Sequence, residues 1–513
     1  MTMSDKMSSV IIQCFLFLFL LVQCYRLGVS HKVYPQKNIH SLEEIEVNLT
    51  YSQYSCDQNF LSMAIDSSEI KNKWRGFDFS SQKLQNLAHA LSPAYIRIGG
   101  TDADFLIFNP NELTEAENEM SYKPSSNYTG LKKDEQEFTL TGGVWRNMTH
   151  FFQYVGWDII FDFNLFLRKK DLWDPSNASS LLSFSEMNGI NIAAFQLGNE
   201  PNSYEHNFNF TISPSALLND LKTLRNVLND HPFYRSSGLF GPEVTNLGNR
   251  AGSSTYLKQF LEAGACDVMD YISSHHYYLD GRTATADDFL NPQVLDTLKT
   301  SVETARTIMR ENNCPLSLAL TETSSCYGGG APNLSDRYLA GFLWLDKLGV
   351  TALNGYSRIF RQTFYSGHYA LISSELEPNP DFFLSVLFKK LVEGPVLTVV
   401  KQPEMIRVYA NCANTAIYPQ GSIVIYFLNL RNTPVNLSLS QFADLKTDVY
   451  LLTPGDSDGL KSRFVKLNGN VLVLSGSELP PLPPRTVQGV ISLEPQSFGF
   501  AVIPGAKASI CIK

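Results

Sequence analysis

At 513 residues the chain exceeds one ordinary core and calls for a large domain with a smaller one. Hydrophobic residues make up 44%, charged residues 18% and aromatics 12%, which excludes a disordered chain. A net charge of −9, from 41 Lys and Arg against 50 Asp and Glu, with no basic run interleaved with aromatics, excludes general nucleic-acid binding; an acidic polymer would have to be drawn in by a local groove.

Residues 1–27 hold Lys6 and then the apolar stretch Val10–Val22, too short to span a bilayer comfortably, and read as a secretory signal peptide. Seven Asn-X-Ser/Thr sequons, at Asn48, Asn127, Asn147, Asn177, Asn209, Asn333 and Asn436, fit an exported glycoprotein. Cys14 and Cys24 fall in the signal region. The other cysteines, Cys56, Cys266, Cys314, Cys326, Cys412 and Cys511, lack the paired spacing of a zinc site and suit a disulfide or two.

From residue 55 to 390 short apolar runs alternate with helix-length segments, the texture of βαβ units. Candidate strands are Leu61–Ala64, Tyr95–Ile98, Asp158–Phe163, Ile192–Leu197, Leu239–Gly241, Val268–Ser274, Leu316–Thr321 and Thr351–Ser357. Eight strands predict an α/β fold built on a closed (β/α)8 TIM barrel. Within it, residues 111–137 are polar, charged and long for a βα connection, and read as an exposed, linker-like loop. Residues 391–513 change to alternating β-type runs and predict a smaller C-terminal antiparallel β-sandwich domain. Cys412 and Cys511 bracket it, and a disulfide between them would tie an expected last strand, Ala506–Cys511, to the sheet.

Two carboxylates fall where barrel strands four and seven are expected to end, the edge at which barrel enzymes keep their chemistry. Glu200 sits beside Asn199 and before Pro201, and Glu322 closes Leu316–Thr321 ahead of Tyr327-Gly328-Gly329-Gly330. Such a pair suits glycoside hydrolysis, in which one carboxyl protonates the leaving oxygen and the other attacks or activates water. Either alone could be structural, paired with Arg97 or Arg361; both motifs together favour catalysis. No metal or cofactor is required. His276, Phe342 and Trp344 read as core residues.

The stretches FQLGNEPNS, SSHHYYLDGRTATADDFLNP, TETSSCYGGGAP, LSDRYLAGFLWLDKLG and LFKKLVEGPVL, spread over a match from about Val33 to the C-terminus, carry a resemblance. The chain resembles heparanases, the endo-β-glucuronidases of glycoside hydrolase family 79. That resemblance implies a barrel whose sandwich takes an N-terminal strand near 33–47, with Glu200 as acid/base, Glu322 as nucleophile and Asn199 at the sugar 2-hydroxyl. It likewise implies substrate contacts from Asp66, Thr101, His275, Arg282, Tyr327, Gly328, Gly329, Gly367 and Tyr369. Retention of configuration would follow, with the carboxyls roughly 5 to 5.5 Å apart. The implied partner is a glycosaminoglycan, heparan sulfate first, met outside the cell, in the matrix or in lysosomes; membranes would be approached only through cell-surface proteoglycans.

Two departures matter. Members specialised for heparan sulfate carry a basic cluster after the segment that here reads Gly241-Pro242-Glu243-Val244, whereas this chain continues Thr245-Asn246-Leu247-Gly248-Asn249-Arg250. Losing cations weakens attraction to a sulfated chain, and hyaluronan, cut by other members, becomes the alternative substrate. The linker that precursors lose is also shortened, to something within Ser121–Gln136, which suits an enzyme working as a single chain. A non-catalytic, glycosaminoglycan-binding relative would lose one or both glutamates; this chain keeps both.

Overall fold

The computed structural model describes residues 41–111, 136–248 and 251–512. The expected signal peptide, nearly all of the linker-like loop, Asn127, Asn249 and Arg250 lie outside them. Eight parallel strands close a barrel: Leu61–Asp66 (β1), Ala94–Gly99 (β2), Trp157–Phe163 (β3), Ala194–Leu197 (β4), Gly238–Val244 (β5), Tyr271–Asp280 (β6), Ser317–Tyr327 (β7) and Tyr356–Arg361 (β8). Each pairs with the next and β8 returns to β1. Inside, Ala64, Ile160, Ala194, Phe240, Ala319 and Phe360 form one cluster, and Phe240 stacks on Tyr271 at 4.2 Å. The interior below the strand ends is thus filled with side chains.

Local signals set the helices around it. Helix Pro214–Asp230 opens on Ser213, whose hydroxyl accepts the Ala216 amide at 3.2 Å, with Pro214 at the first position, where its missing N–H costs nothing. Its buried Leu217, Leu221, Leu224 and Leu228 repeat at helical spacing and face the sheet.

The eighth strand differs from expectation. Val350-Thr351-Ala352, β-branched enough to suggest a strand, ends helix Ala340–Leu353 instead, and Gly355, at φ +73°, breaks the chain before β8. That helix is buried on every side from Ala340 to Ala352, so no polar face marks its period. It packs on the sandwich, where Phe342 meets Phe498 and Tyr409 donates to Asp346 at 2.6 Å; Phe342 and Trp344 are core. Strand β7 also runs beyond Thr321 to Tyr327.

The second layer is a nine-stranded sheet built mainly from Val392–Leu397 (β9), Ile406–Ala413 (β10), Ile423–Asn429 (β11), Lys446–Pro454 and Ser497–Ile503, faced by a three-stranded sheet that includes Val435–Ser438 and Val490–Leu493. Their shared core takes Ile45 and Val47 from the N-terminal segment, and Val47 bridges Val399. Ser55–Cys56, at the start of the expected barrel segment, pairs with β9 instead. A disulfide joins Cys412 to Cys511, although residues 509–511 form a short helical turn and the last strand is Ser497–Ile503. A second disulfide joins Cys266 to Cys314, and Cys56 and Cys326 are buried thiols.

Of the sequons, Asn147, Asn209 and Asn333 are exposed. Asn177 is bound in both directions to the backbone of Phe108, at 3.0 and 2.9 Å, so a sugar on its amide nitrogen would displace the bond that nitrogen donates.

Candidate active site

At the C-terminal ends of the strands lies a cleft of about 320 Å³, lined by Asp66, Thr101, Glu200, Thr245, Asn246, Tyr277, Glu322, Tyr327, Gly328, Gly329 and Tyr369. One turn beside it, at Gly100, leaves no room for a larger residue. At Gly100, with φ +104°, a Cβ would stand 2.7 Å from the Asp66 carboxylate.

Glu200 follows β4 on a tight turn and has left-handed backbone, φ 56° and ψ 52°, before the short helical turn Pro201–Ser203. Asp104 pins that turn from behind. Its carboxylate accepts the Asn199 amide at 3.1 Å, the Tyr204 hydroxyl at 2.6 Å and the Leu165 amide at 3.1 Å. Burial still pushes the Asp104 carboxyl up to about 7 against those donors.

Glu322 lies on β7 directly across from His275 on β6, after a register shift between Ser274 and His275. Its carboxylate accepts the Tyr277 hydroxyl at 2.8 Å and Arg97 Nη1 at 2.9 Å. Burial alone would raise it, but the His275 and Arg97 charges and the Tyr277 bond hold it below the ordinary carboxylate range. His275 spans two carboxylates, Nδ1 to Glu200 Oε1 at 2.9 Å and Nε2 to Glu243 Oε2 at 3.0 Å. Burial opposes its charge, but the charge of Glu322 and the bonds to Glu200 and Glu243 outweigh it and push the imidazole up to about 10. At neutral pH His275 is a cation.

Arg97 is the other cation beneath the cleft. It gives Nε to Gln196 at 2.7 Å and Nη2 to Asn199 Oδ1 at 2.9 Å, and lies 3.4 Å from Glu243 and 3.7 Å from Asp162. With its oxygen taken by Arg97, Asn199 has its NH2 as the group to offer a sugar hydroxyl.

One ligand atom each from Glu200, His275 and Glu322 falls within 4.8 Å of the others, a spacing that could suggest a metal. The donors are already committed. A doubly protonated imidazole has no lone pair to give, and the oxygens of Glu322 are bound by Tyr277 and Arg97. The set fits proton transfer better than a cation.

The fold therefore gathers Glu200, Glu322, Asp66, Thr101, Tyr327, Gly328, Gly329 and Tyr369 at one cleft, with Asn199 and His275 directly behind. Gly367 sits in the adjoining loop, which locks onto the glycine run through the His368 amide and Gly329 carbonyl at 2.8 Å. Arg282 adjoins the lining without joining it: its exposed guanidinium forks onto Asp280 at 2.6 and 2.9 Å, and Asp280 also accepts the hydroxyl of the lining residue Tyr327 at 3.1 Å. His276 is buried core, although its Nδ1 has no partner among the described residues. The structural partnership weighed for Arg97 exists, with Glu322, while Arg361 pairs with Asp381 at 2.8 Å. Sequence reasoning missed Glu243, Asp104 and Tyr277 as site residues. Arg97 carried a visible signal, a cation in the apolar run Tyr95–Ile98 that could be buried only if paired.

Residues 54–349 match Glycosyl hydrolase family 79, N-terminal domain. Heparanase of Mus musculus is 38% identical over 500 residues, covering 89% of this chain and 92% of that one. Hyaluronoglucuronidase of Hirudo nipponia is 32% identical, covering 90% and 97%. Among solved structures, a 4-O-α-L-rhamnosyl-β-D-glucuronidase from Fusarium oxysporum superposes with a TM-score of 0.64 at 15% identity, over 90% of this chain and 100% of that one, a likeness of fold.

Proposed function

The chain belongs to glycosyl hydrolase family 79, and from that premise we propose that it is an exported, retaining endo-β-glucuronidase that cuts internal glucuronide linkages of heparan sulfate. Glu322 attacks the anomeric carbon while Glu200 gives its proton to the departing oxygen. Glu200 then takes a proton from the water that frees the product from Glu322. Asn199 offers its amide to the 2-hydroxyl, a contact that strengthens as the oxocarbenium-like state forms.

One observation carries this reading: a carboxylate oxygen of Glu200 and one of Glu322 lie within 4.8 Å of each other across the cleft. Inverting enzymes need a gap of roughly 6.5 to 9.5 Å for a water molecule, and retaining ones only about 5 to 5.5 Å. The donors around Glu322 favour the ionised nucleophile this chemistry requires.

Hyaluronan is the second reading, favoured by charge. Among the described residues the cleft lining holds no Lys or Arg. Of the described cations on nearby loops, Lys71 pairs with Asp102 at 2.7 Å and Arg282 with Asp280 at 2.6 Å. A chain without sulfates would be drawn in with less need of free cations. The test is parallel digestion of heparan sulfate and hyaluronan, sizing the products and using Glu322→Gln as control. Mid-sized fragments from heparan sulfate, absent with the variant, support the reading. Shortening of hyaluronan alone reverses the substrate order, and fragments from neither polymer overturn it.

A further inference from the structure

Behind Glu200 lies a carboxylate that the reaction itself does not use. We propose that Glu243 is a positioning residue for the acid/base Glu200, acting through His275; this rests on the role given to Glu200 above. Glu243 is the next-to-last residue of β5, with its carboxylate buried beneath the cleft, 1% exposed. It is held by three groups: Nε2 of His275 at 3.0 Å, the Ser273 hydroxyl, and Arg97 Nη2 at 3.4 Å. Burying an ion is costly, and an apolar side chain of similar volume is often as stable there, so three donors converging on one carboxylate point to use rather than packing.

Backbone geometry agrees. Glu243 has φ 57° and Glu200 φ 56°, so both carboxylates that bracket His275 stand on left-handed, non-glycine residues. Such backbone is disfavoured for a residue with a Cβ and persists where its surroundings over-determine it. Here it aims both carboxylates at the two nitrogens of one imidazole. With Nε2 bound to Glu243, the ring cannot flip, and Nδ1 is left facing Glu200 Oε1 at 2.9 Å. That bond fixes one oxygen of Glu200 and leaves the other for the glycosidic oxygen. The charged groups around His275 are Glu200, Glu243 and Glu322 within bonding or short range, with Asp162 and Arg97 behind. Of these, Glu243 and Glu200 hold the ring by direct bonds.

The step affected is the one in which the bond from the anomeric carbon to the leaving oxygen breaks, the bond to Glu322 forms, and the proton moves from Glu200 to the leaving oxygen. A small misplacement of an acid can cost on the order of 100-fold. The experiment compares Glu243→Gln with the unaltered enzyme on aryl glycosides of a glucuronate-ended oligosaccharide, reading the burst of phenol release. One phenol is strongly acidic and leaves without a proton; the other is weakly acidic and needs one. The expected result is a 10- to 100-fold loss of burst rate on the weakly acidic phenol with KM little changed, near-equal rates on the acidic phenol, and an unaltered melting temperature. Equal losses on both substrates, or no loss on either, overturn the proposal. Ser273→Ala, which removes one support of Glu243, should give the same selectivity at smaller size if Glu243→Gln fails to fold; absence of that selectivity is equally decisive. Glu200→Gln is run alongside. If it too loses both phenols equally, the acid/base assignment has failed; if it is selective and Glu243→Gln is not, only the positioning role has.

Discussion

His275→Gln removes one positive charge from beneath the cleft while keeping a side chain that can hydrogen-bond. A nitrogen of His275 and an oxygen of Glu322 lie within 4.8 Å. At that separation the attraction is about 3.5 kcal/mol at an effective dielectric of 20 and about 0.9 kcal/mol with water-like screening. The nucleophile works ionised, and the imidazolium helps hold it so below the ordinary range. Without it, Glu322 takes up a proton at higher pH and activity is lost earlier on acidification. Dividing by 1.36 kcal/mol per pH unit, the acid limb of kcat/KM rises by about 0.6 to 2.5 pH units. Glu322 is only 12% exposed, which favours the upper half of that interval. The assay is kcat/KM on a size-defined glucuronate oligosaccharide across the acid range, with the melting temperature followed in parallel. A limb that stays in place, or moves down, in a stably folded variant refutes the claim that this cation governs Glu322.

Two further outcomes follow from other parts of the molecule. Gly329 has φ +84° and open space around an added Cβ, so Gly329→Ala should cost about 1 kcal/mol for left-handed backbone and raise KM by placing a methyl in the cleft. Gly330, at φ +89°, would put its Cβ 2.7 Å from the Tyr369 amide, so Gly330→Ala should lower both melting temperature and kcat; equal thermal losses in the two variants would contradict this. Removing the Cys412–Cys511 bond with paired serines opens a span of 99 residues, and removing Cys266–Cys314 opens 48. Chain entropy puts the losses at about 4.7 and about 4.1 kcal/mol, so denaturant unfolding should place the sandwich pair as the larger.

The barrel was legible because buried parallel strands read as continuous apolar runs set off by turns, and all eight lie near their expected places. The eighth slipped because a helix buried all round has the same texture as a strand. The two glutamates stood out at the ends of apolar runs. Their support did not. Glu243 and Asp104 are letters that anywhere else would mean a solvated surface, and Arg282, matched by resemblance, forks onto its own loop. What separates them is which charges become neighbours, and that depends on register. The shift between Ser274 and His275 places His275 opposite Glu322, and no residue at that point announces a bulge.

Register also explains how one small volume tolerates so many acids. Among the described residues, Asp66, Asp104, Asp162, Glu243 and Glu322 crowd around the cations Arg97 and His275, and burial and mutual repulsion work against charge on each of them. Contact with a cation sorts them. Glu243 and Glu322, bonded to His275 or Arg97, are held low, whereas burial raises Asp66, Asp104 and Asp162, which lack such a bond. Asp162 is the extreme case, 3.7 Å from Arg97 and with neither oxygen hydrogen-bonded among the described residues. Burial thus works against charge on the aspartates, while the cations favour negative charge at Glu322, on the wall of the cleft where a nucleophile needs it. Moving either cation to a neighbouring position on its strand would turn it to the other face of the sheet and undo that sorting without changing a single carboxylate.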